Sequence, residues 1–402
     1  MSDASHEKLS AHSDLIIRPV EPDDTESVHR LLREHLNDVV ADYSRWRVRW
    51  EWQYWNNPFR FGRPAGYVLQ HDDSIVGHLG AVYLPLRIGM DRYTGVVGSD
   101  YVVSKDATKV GGMFAGLQLA ERLFTDAEYF LVMATTANDK TNAVFSRFGC
   151  KPIPWTREFW RAPADAGQLV RTFYGGTNRV IRRILAAPGG FWLTRQLGNL
   201  CRIFHHYPKI NLPKGCCLEI SIPRSPCALG TVHEKQLSEK DAFNHQEPSE
   251  ASLPRPALFS VDRSQDYLHW RYVSHPERDN IRVIAVTDEQ GAPLGAAIVF
   301  LEKTEGRYIA HLEELVVLLN RPDVLHTLFC TAVDLACRQG VDYLVTTSGR
   351  PAYRHFFWEL GFEARTRNAP AAVIQAGSKG VAEQVLPRPL ENHLEFWHGE
   401  MF

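Results

Sequence analysis

The sequence repeats itself at long range, and that fact constrains its fold more than any other. "WQYWNNP" (Trp52 to Pro58) returns in the second half of the chain as "WRYVSHP" (Trp270 to Pro276). Nineteen residues after each proline stands a glycine that opens an apolar strand, in "HDDSIVGHLGAVYL" (Gly77) and "DEQGAPLGAAIVFL" (Gly295), so the offset between the copies is unchanged. Further on, "NDKTNAVFSRFG" ends at Gly149 and "RPAYRHFFWELG" at Gly361, the second copy being slightly contracted in between. A period this long is a duplicated domain, not a solenoid. It suits a chain of 402 residues, which is more than one core usually serves.

Each copy reads as the same string of elements. An opening strand ("LIIRPV", "CLEISI") leads to helices, such as "DTESVHRLLREHL" in the first copy. Two strands joined by a tight turn follow: "GYVLQ" with "IVGHLGAVYL", then "IRVIAVT" with "LGAAIVFL". A fourth strand ("SDYVV", "EELVVL") meets a helix, with Met113, Leu117, Ala120 and Phe124 at helical spacing in the first copy. A fifth strand ("YFLVMAT", "YLVTT") and a short aromatic helix complete the unit. The pattern predicts an α/β protein with two units, each a mixed, mostly antiparallel sheet flanked by helices.

Charge and cysteine content narrow the function classes. Net charge is −2, which points to neither nucleic acid nor membrane. The N-terminus, "MSDASHEKLSAHSD", lacks the apolar core of a signal peptide, and no apolar run reaches the length of a membrane span. The seven cysteines form no CxxC pair and include adjacent Cys216 and Cys217. This reads as buried thiols in a reducing compartment, with no metal site expected. The expected location is the cytoplasm.

Between the fourth strand and its helix lies "KVGGMFAGL", residues 109 to 117. Adjacent glycines at such a junction serve either as a plain turn or as a loop whose backbone N–H groups close on a phosphate at a helix N-terminus. No proline lies between Asp106 and Gly116, so every N–H there is available. Neither a Walker A loop nor GxGxxG is present, which disfavours nucleoside triphosphate and dinucleotide sites.

Strand, glycine loop, helix, strand, then "NDKTNAVFSRFG" (Asn138 to Gly149) resembles the acyl-CoA-dependent N-acyltransferases of the GNAT superfamily. Lys109-Val-Gly-Gly-Met-Phe114 resembles their pyrophosphate loop, with Lys for Arg. Asn138 and Gly149 share the spacing of their later signature, with Phe145 at its aromatic position. The resemblance spans roughly 14 to 162, and more faintly about 216 to 368. It implies that Lys109, Val110, Gly111, Gly112, Met113, Phe114 and Ala115 hold the pyrophosphate of acetyl-CoA or another acyl-CoA. It implies further that Tyr101, Val102 and Val103 pair with the pantetheine arm, which Asn138 also faces. The co-substrate is then acyl-CoA, with no metal. Many members carry a tyrosine that protonates the leaving thiolate, and this chain has Phe145. Asp100, at the start of the fourth strand where the acceptor amine is expected to approach, is the candidate catalytic base, the alternative being that it only accepts turn N–H bonds. Glu51, His71 and His78 are weaker candidates, His78 being read as a core or edge histidine.

In the second copy, "RPDVLHTLF" (Arg321 to Phe329) stands opposite the glycine loop, with Pro322 removing an N–H and Val324 opposite Gly112. This copy reads as degenerate. From Ala166 to Leu218 there is no Asp or Glu but eight Arg and Lys among apolar residues. That stretch is either a basic surface for an anionic partner, peripheral membrane contact included, or helices with solvated cations. The expected organisation is 1–13 as a disordered start, 14–165 as the CoA-binding GNAT domain, 166–215 as a basic helical linker, 216–375 as the degenerate copy and 376–402 as an unassigned tail. "FNHQEPSEASLPRP" (Phe243 to Pro256) reads as a loop. The leading expectation is acyl transfer from CoA to the amine of a small molecule, such as an amino sugar or nucleotide-linked sugar, by direct attack. The alternatives are a catalytically inactive CoA-binding or scaffold protein and an aminoacyl-tRNA-dependent transferase.

Overall fold

The computed structural model describes residues 15–36, 39–88, 91–105, 107, 109, 114–125, 131–134, 139–152, 158–164, 210–225, 230–232, 235, 259–304, 307–318, 321–347, 351–360, 362–366, 373–376 and 394–395. The chain divides into two compact units, one of residues 1–84, 94–151 and 373–383, the other of 85–93, 152–372 and 384–402. Both are mixed α/β, each with a mostly antiparallel sheet.

In the first unit, β1 (Leu15–Pro19) pairs antiparallel with β2 (Gly66–His71), and β2 with β3 (Ser74–Ile88). The β2–β3 hairpin turns at Asp72, whose φ of 51° is the left-handed conformation that a two-residue turn demands. Next come β4 (Asp91–Val103) and β5 (Leu131–Ala134), which run parallel. Between β1 and β2 lie α1 (Thr25–His35), α2 (Tyr43–Trp50) and a π turn at Glu51–Trp55. The Asp42 side chain caps α2 by accepting from the Arg45 N–H at 3.0 Å. α3 (Phe114–Thr125) follows β4, and α4 (Asp139–Arg147) follows β5. Adjacent residues Val68 and Leu69 point to opposite faces of β2, and both are fully buried, so the sheet is covered on both sides.

The face that α3 buries is Ala115, Leu119, Ala120 and Leu123. It is turned slightly from the expected one: Leu117 and Phe124 are only half-buried.

Two further strands, β6 (Lys151–Pro152) and β15 (Val373–Ala376), complete the first sheet, which runs β1-β2-β3-β4-β5-β15-β6. The strands of the second sheet are β7 (Glu158–Pro163), β8 (Cys216–Ser221), β10 (Ile281–Asp288), β11 (Pro293–Thr304), β12 (Arg307–Val317), β13 (Tyr343–Thr346) and β14 (Glu363–Thr366). Their order is β14-β7-β13-β12-β11-β10-β8. Two short strands, β9 (Phe259–Val261) and β16 (Leu394–Glu395), pair with each other, and β9 also pairs with Leu86–Ile88.

These sheets do not follow the sequential boundaries at 165 and 375. Residues 158–163 form a strand of the second sheet, between β13 and β14, and residues 373–376 a strand of the first, between β5 and β6. The slots correspond: in each sheet an antiparallel strand from the other half of the sequence covers the edge of the fifth strand. Backbone pairing decides membership, and nothing in local composition distinguishes the two partners.

The second unit's helices are α5 (Gln265–Leu268), capped by Ser264, then a π turn at His269–Val273, α6 (Pro322–Gln339) and α7 (Pro351–Glu359). α6 ends on Gly340 at φ 69°, a left-handed C-cap. Its core joins α6 and α7 to Trp160, Ile284, Val299, Leu312 and Leu344 of the sheet. Val324, read as the replacement for a loop glycine, is fully buried in α6 and touches Gly295, where a Cβ would come within 2.8 Å of it. Among the described residues no helix is long and apolar enough to cross a membrane. The basic stretch lies outside them from 166 to 209, as does the loop at 243–256.

Candidate active site

In the first unit the helix α2 passes directly into the π turn, closed by an Asn56 N–H to Glu51 C=O bond of 2.8 Å. The extra residue in that turn carries Tyr54 inward to lie over β3 at Gly80, where any Cβ would fall on the phenol. The Tyr54 hydroxyl donates to Asp100 Oδ2 at 2.7 Å. Tyr54 is 1% exposed. Burial, and then the charge of Asp100, push its ionisation well above the normal tyrosine range, so it stays a donor.

Asp100 is half-buried on β4 with φ at 51°, unusual for a non-glycine residue in a strand. This kink turns its carbonyl to His78 Nδ1, 3.0 Å away. A carbonyl only accepts, so His78 carries its proton on Nδ1 and leaves Nε2 as a bare lone pair. His78 is fully buried, and Nε2 has no hydrogen-bond partner among the described residues. Burial lowers the basicity of His78, against the opposing pull of Asp100 and Asp24. Trp50 packs on both, with ring centroids 4.3 Å from Tyr54 and 5.2 Å from His78. Asp24 is itself engaged by Arg18 through two bonds of 2.7 and 2.8 Å. Asp100 has no ion-pair partner among the described residues.

Among the described residues, β4 pairs with β5 at Gly95–Val97 opposite Leu131–Met133, and β4 continues to Val103. Asp100, Tyr101, Val102 and Val103 form the last stretch of β4, beyond that pairing. Val102 is buried and Val103 half-buried. The Tyr101 ring lies 6.1 Å from that of Phe145, and its hydroxyl faces Gly116 of α3. Burial pushes the Tyr101 phenol up to about 12. Phe145 is fully buried against Phe124 and Gly98.

β4 does not run straight into the glycines. It ends at Val103, and Ser104 Oγ then accepts from the Ala107 N–H at 3.1 Å at the start of a helical stretch in which Lys105, Ala107 and Lys109 lie, so Lys109 is helical where the sequence reading made it part of the loop. Lys109 and Phe114 are exposed and Ala115 is buried, while Val110, Gly111, Gly112, Met113 and Asn138 lie outside the described residues. Among the weaker base candidates, Glu51 pairs with Arg47 at 2.7 Å and His71 is half-buried beside Asp72. Among the described residues no three His, Cys, Asp or Glu are grouped to hold a metal ion. None of the five described cysteines is in a disulfide.

The second unit carries a matching pair. Its π turn, closed by a Ser274 N–H to His269 C=O bond of 2.8 Å, presents Tyr272 to Glu314 Oε1 at 3.2 Å. Tyr272 is the repeat partner of Tyr54, and "EEL" at Glu313 stands for "SDY" at Ser99. There are two differences. Ala296 stands where the first unit has His78, and Glu314 is closed off by Arg263, whose Nε lies 2.7 Å from Oε2. Arg263 and Glu314 are 3% and 0% exposed.

Sequence reading singled out Asp100 as a candidate but not Tyr54, which bonds to it, or Gly80, beneath that ring. The signal was present: Tyr54 sits inside the strongest repeat, "WQYWNNP".

No protein-family model and no curated protein matches the sequence. Solved structures do. A GCN5-related N-acetyltransferase from Anabaena variabilis ATCC 29413 aligns at a TM-score of 0.54 and 12% identity, over 91% of this chain and 73% of its own. A conserved protein of unknown function from Enterococcus faecalis V583, described as a probable N-acyltransferase, aligns at 0.52 and 10% identity, over 93% and 75%. A GCN5-related N-acetyltransferase from Kribbella flavida aligns at 0.51 and 12%, over 90% and 71%. At such identities the likeness is one of fold, and the chain shares the fold of the GCN5-related N-acetyltransferases.

Proposed function

We propose that the protein is an acyl-CoA-dependent N-acyltransferase, most simply an acetyltransferase, working in its first unit. The observation that carries this reading is the kinked, half-buried Asp100 on β4, held by Tyr54, in a chain that shares the fold of the GCN5-related N-acetyltransferases. The end of β4, at Tyr101 to Val103, would offer backbone N–H and C=O groups to an extended pantetheine arm and to the thioester carbonyl. The glycines at 111 and 112 would take the pyrophosphate. Asp100 accepts a proton from the acceptor's ammonium group. The freed amine attacks the thioester carbonyl, the C–S bond breaks, and CoA leaves as a thiolate that takes up a proton. No covalent enzyme intermediate forms. The second unit, with its carboxylate closed by Arg263, is a degenerate copy supporting the first.

Phe145 favours one other reading, a CoA-binding protein without turnover, because its buried ring offers no proton to the leaving group. Thiolate leaves tolerably near neutral pH, so the lack of an acid slows transfer without abolishing it. Thermal melting with acetyl-CoA, longer acyl-CoAs and free CoA tests the reading. At a hundred times its dissociation constant, a ligand stabilises by about 2.7 kcal/mol. The wild type should shift and Gly112→Glu should not. Asp100→Asn should shift as the wild type does, yet lose about a hundredfold in turnover. An unshifted wild type removes the reading. A shift without turnover on any amine leaves the binding protein.

A further inference from the structure

The two units pose the same electrostatic problem and solve it differently. Each buries a tyrosine on a π turn that donates to a carboxylate on the sheet, Tyr54 to Asp100 and Tyr272 to Glu314. A single phenol leaves a carboxylate with its charge and most of its acceptor sites uncompensated. In the second unit Arg263 completes the set with a charge-assisted bond of 2.7 Å. The residue at the same place in the repeat of the first unit is Arg45. It cannot serve the same way, because the helix there is longer. α2 begins at Tyr43, so Arg45 lies within its first turn and is exposed. α5 begins only at Gln265, so Arg263 lies ahead of its cap, Ser264, and turns inward. The first unit thus retains the carboxylate and the phenol, leaves Asp100 half-buried, and makes no ion pair to it among the described residues; the exposed Arg49 reaches Tyr54 only through its charge.

We infer that the Tyr54–Asp100 pair is the seat of a cationic N–H group, ammonium or guanidinium, on a small ligand, and that Arg263 is the built-in counterpart of that ligand in the second unit. Identifying this ligand with the acyl acceptor rests on the acyltransfer reading; the cation seat itself does not. The inference narrows the acceptor to molecules that arrive positively charged at this end. It excludes acceptors that present a phosphate or carboxylate to Asp100.

Calorimetric titration of the full chain with agmatine, which carries one guanidinium and one ammonium, tests this without any CoA ester. N-butylacetamide serves as the neutral probe. Agmatine should bind the wild type, Asp100→Asn should weaken it about tenfold or more, and N-butylacetamide should not bind. Glu121→Gln, at an exposed carboxylate of α3, should match the wild type. Asn at position 100 can still accept from Tyr54, and a thermal midpoint close to the wild type's verifies that the variant is folded. Equal agmatine binding by wild type and Asp100→Asn, equal binding of the neutral probe, or no agmatine binding overturns the inference. If agmatine binds but no acyl-CoA shifts the melt, the acyltransfer reading fails and the cation seat stands. A CoA shift without agmatine binding gives the reverse.

Discussion

At the residue scale, His78 links stability to pH. A histidine sealed from water is held neutral, because charging it there forfeits hydration that its neighbours do not replace. Asp100 and Asp24 pull the other way, but burial is the larger effect, and the folded-state pKa lies below the ordinary value of about 6.5. Above that value both folded and unfolded chains carry neutral imidazole, and the stabilisation is complete. As pH falls, the unfolded chain takes up a proton that the folded chain resists, and stability drops by up to about 1.4 kcal/mol per pH unit. His78→Gln removes the titration. Between pH 7 and 5 the wild type should lose more in thermal midpoint than the variant does, so the gap between them narrows with acid. Parallel midpoint curves would show that His78 titrates alike in the folded and unfolded chains, and a gap that widens with acid would show that it is charged in the fold. The Asp24–Arg18 pair does not intrude in this window. Burial raises the Asp24 carboxyl, but the bonds from Arg18 and the Glu21 N–H outweigh it, so its titration falls below the usual carboxylate range.

At the scale of elements, the strongest match between the two halves of the sequence falls on two π turns. "WQYWNNP" and "WRYVSHP" are each a π turn, its cap and a proline that stops the helix. The turn puts Tyr54 over β3, and this is why position 80 is glycine: a side chain there would occupy the phenol's place. Gly80→Ala should therefore displace Tyr54 and break its bond to Asp100, at a cost of about 2 kcal/mol in urea unfolding. Tyr54→Phe should reproduce the loss of the bond without the steric clash, and adding Gly80→Ala to it should still be destabilising. Additive effects of the two changes would mean that Gly80 and Tyr54 act separately. Hairpins, strand order within each copy and the strand carrying Asp100 were legible, because alternation and turn residues are local signals. The π turn was not, since one inserted residue leaves the apolar spacing almost unchanged. Nor was Arg263 opposite Glu314: an ion pair 51 residues apart leaves no local pattern.

At the scale of the whole molecule, the exchange of strands between the two halves of the sequence makes the sharpest prediction. β15 lies between β5 and β6, and Ile374, from the far end of the second copy, pairs with Met133 of the first. β7 lies between β13 and β14, with Val345 opposite Arg161. A proline in an inner strand removes a ladder bond and disrupts its neighbours. Ile374→Pro should thus strip hydrogen-exchange protection from Leu131–Ala134, in the first half of the sequence, and spare Ile284–Val286 of the second sheet. Trp160→Pro should do the converse, exposing Tyr343–Thr346 and sparing Val68–Leu69. Two domains cut sequentially near residue 165 would give the opposite assignment, each proline damaging its own half. Protection at Leu131–Ala134 that survives Ile374→Pro would sink the exchange. Neither half should fold when expressed alone up to that cut, because each sheet would then lack the strand covering its fifth strand. The exchange also makes the first sheet depend on the far half of the sequence: it takes in residues 373–376, which the chain reaches only after forming the strands of the second sheet.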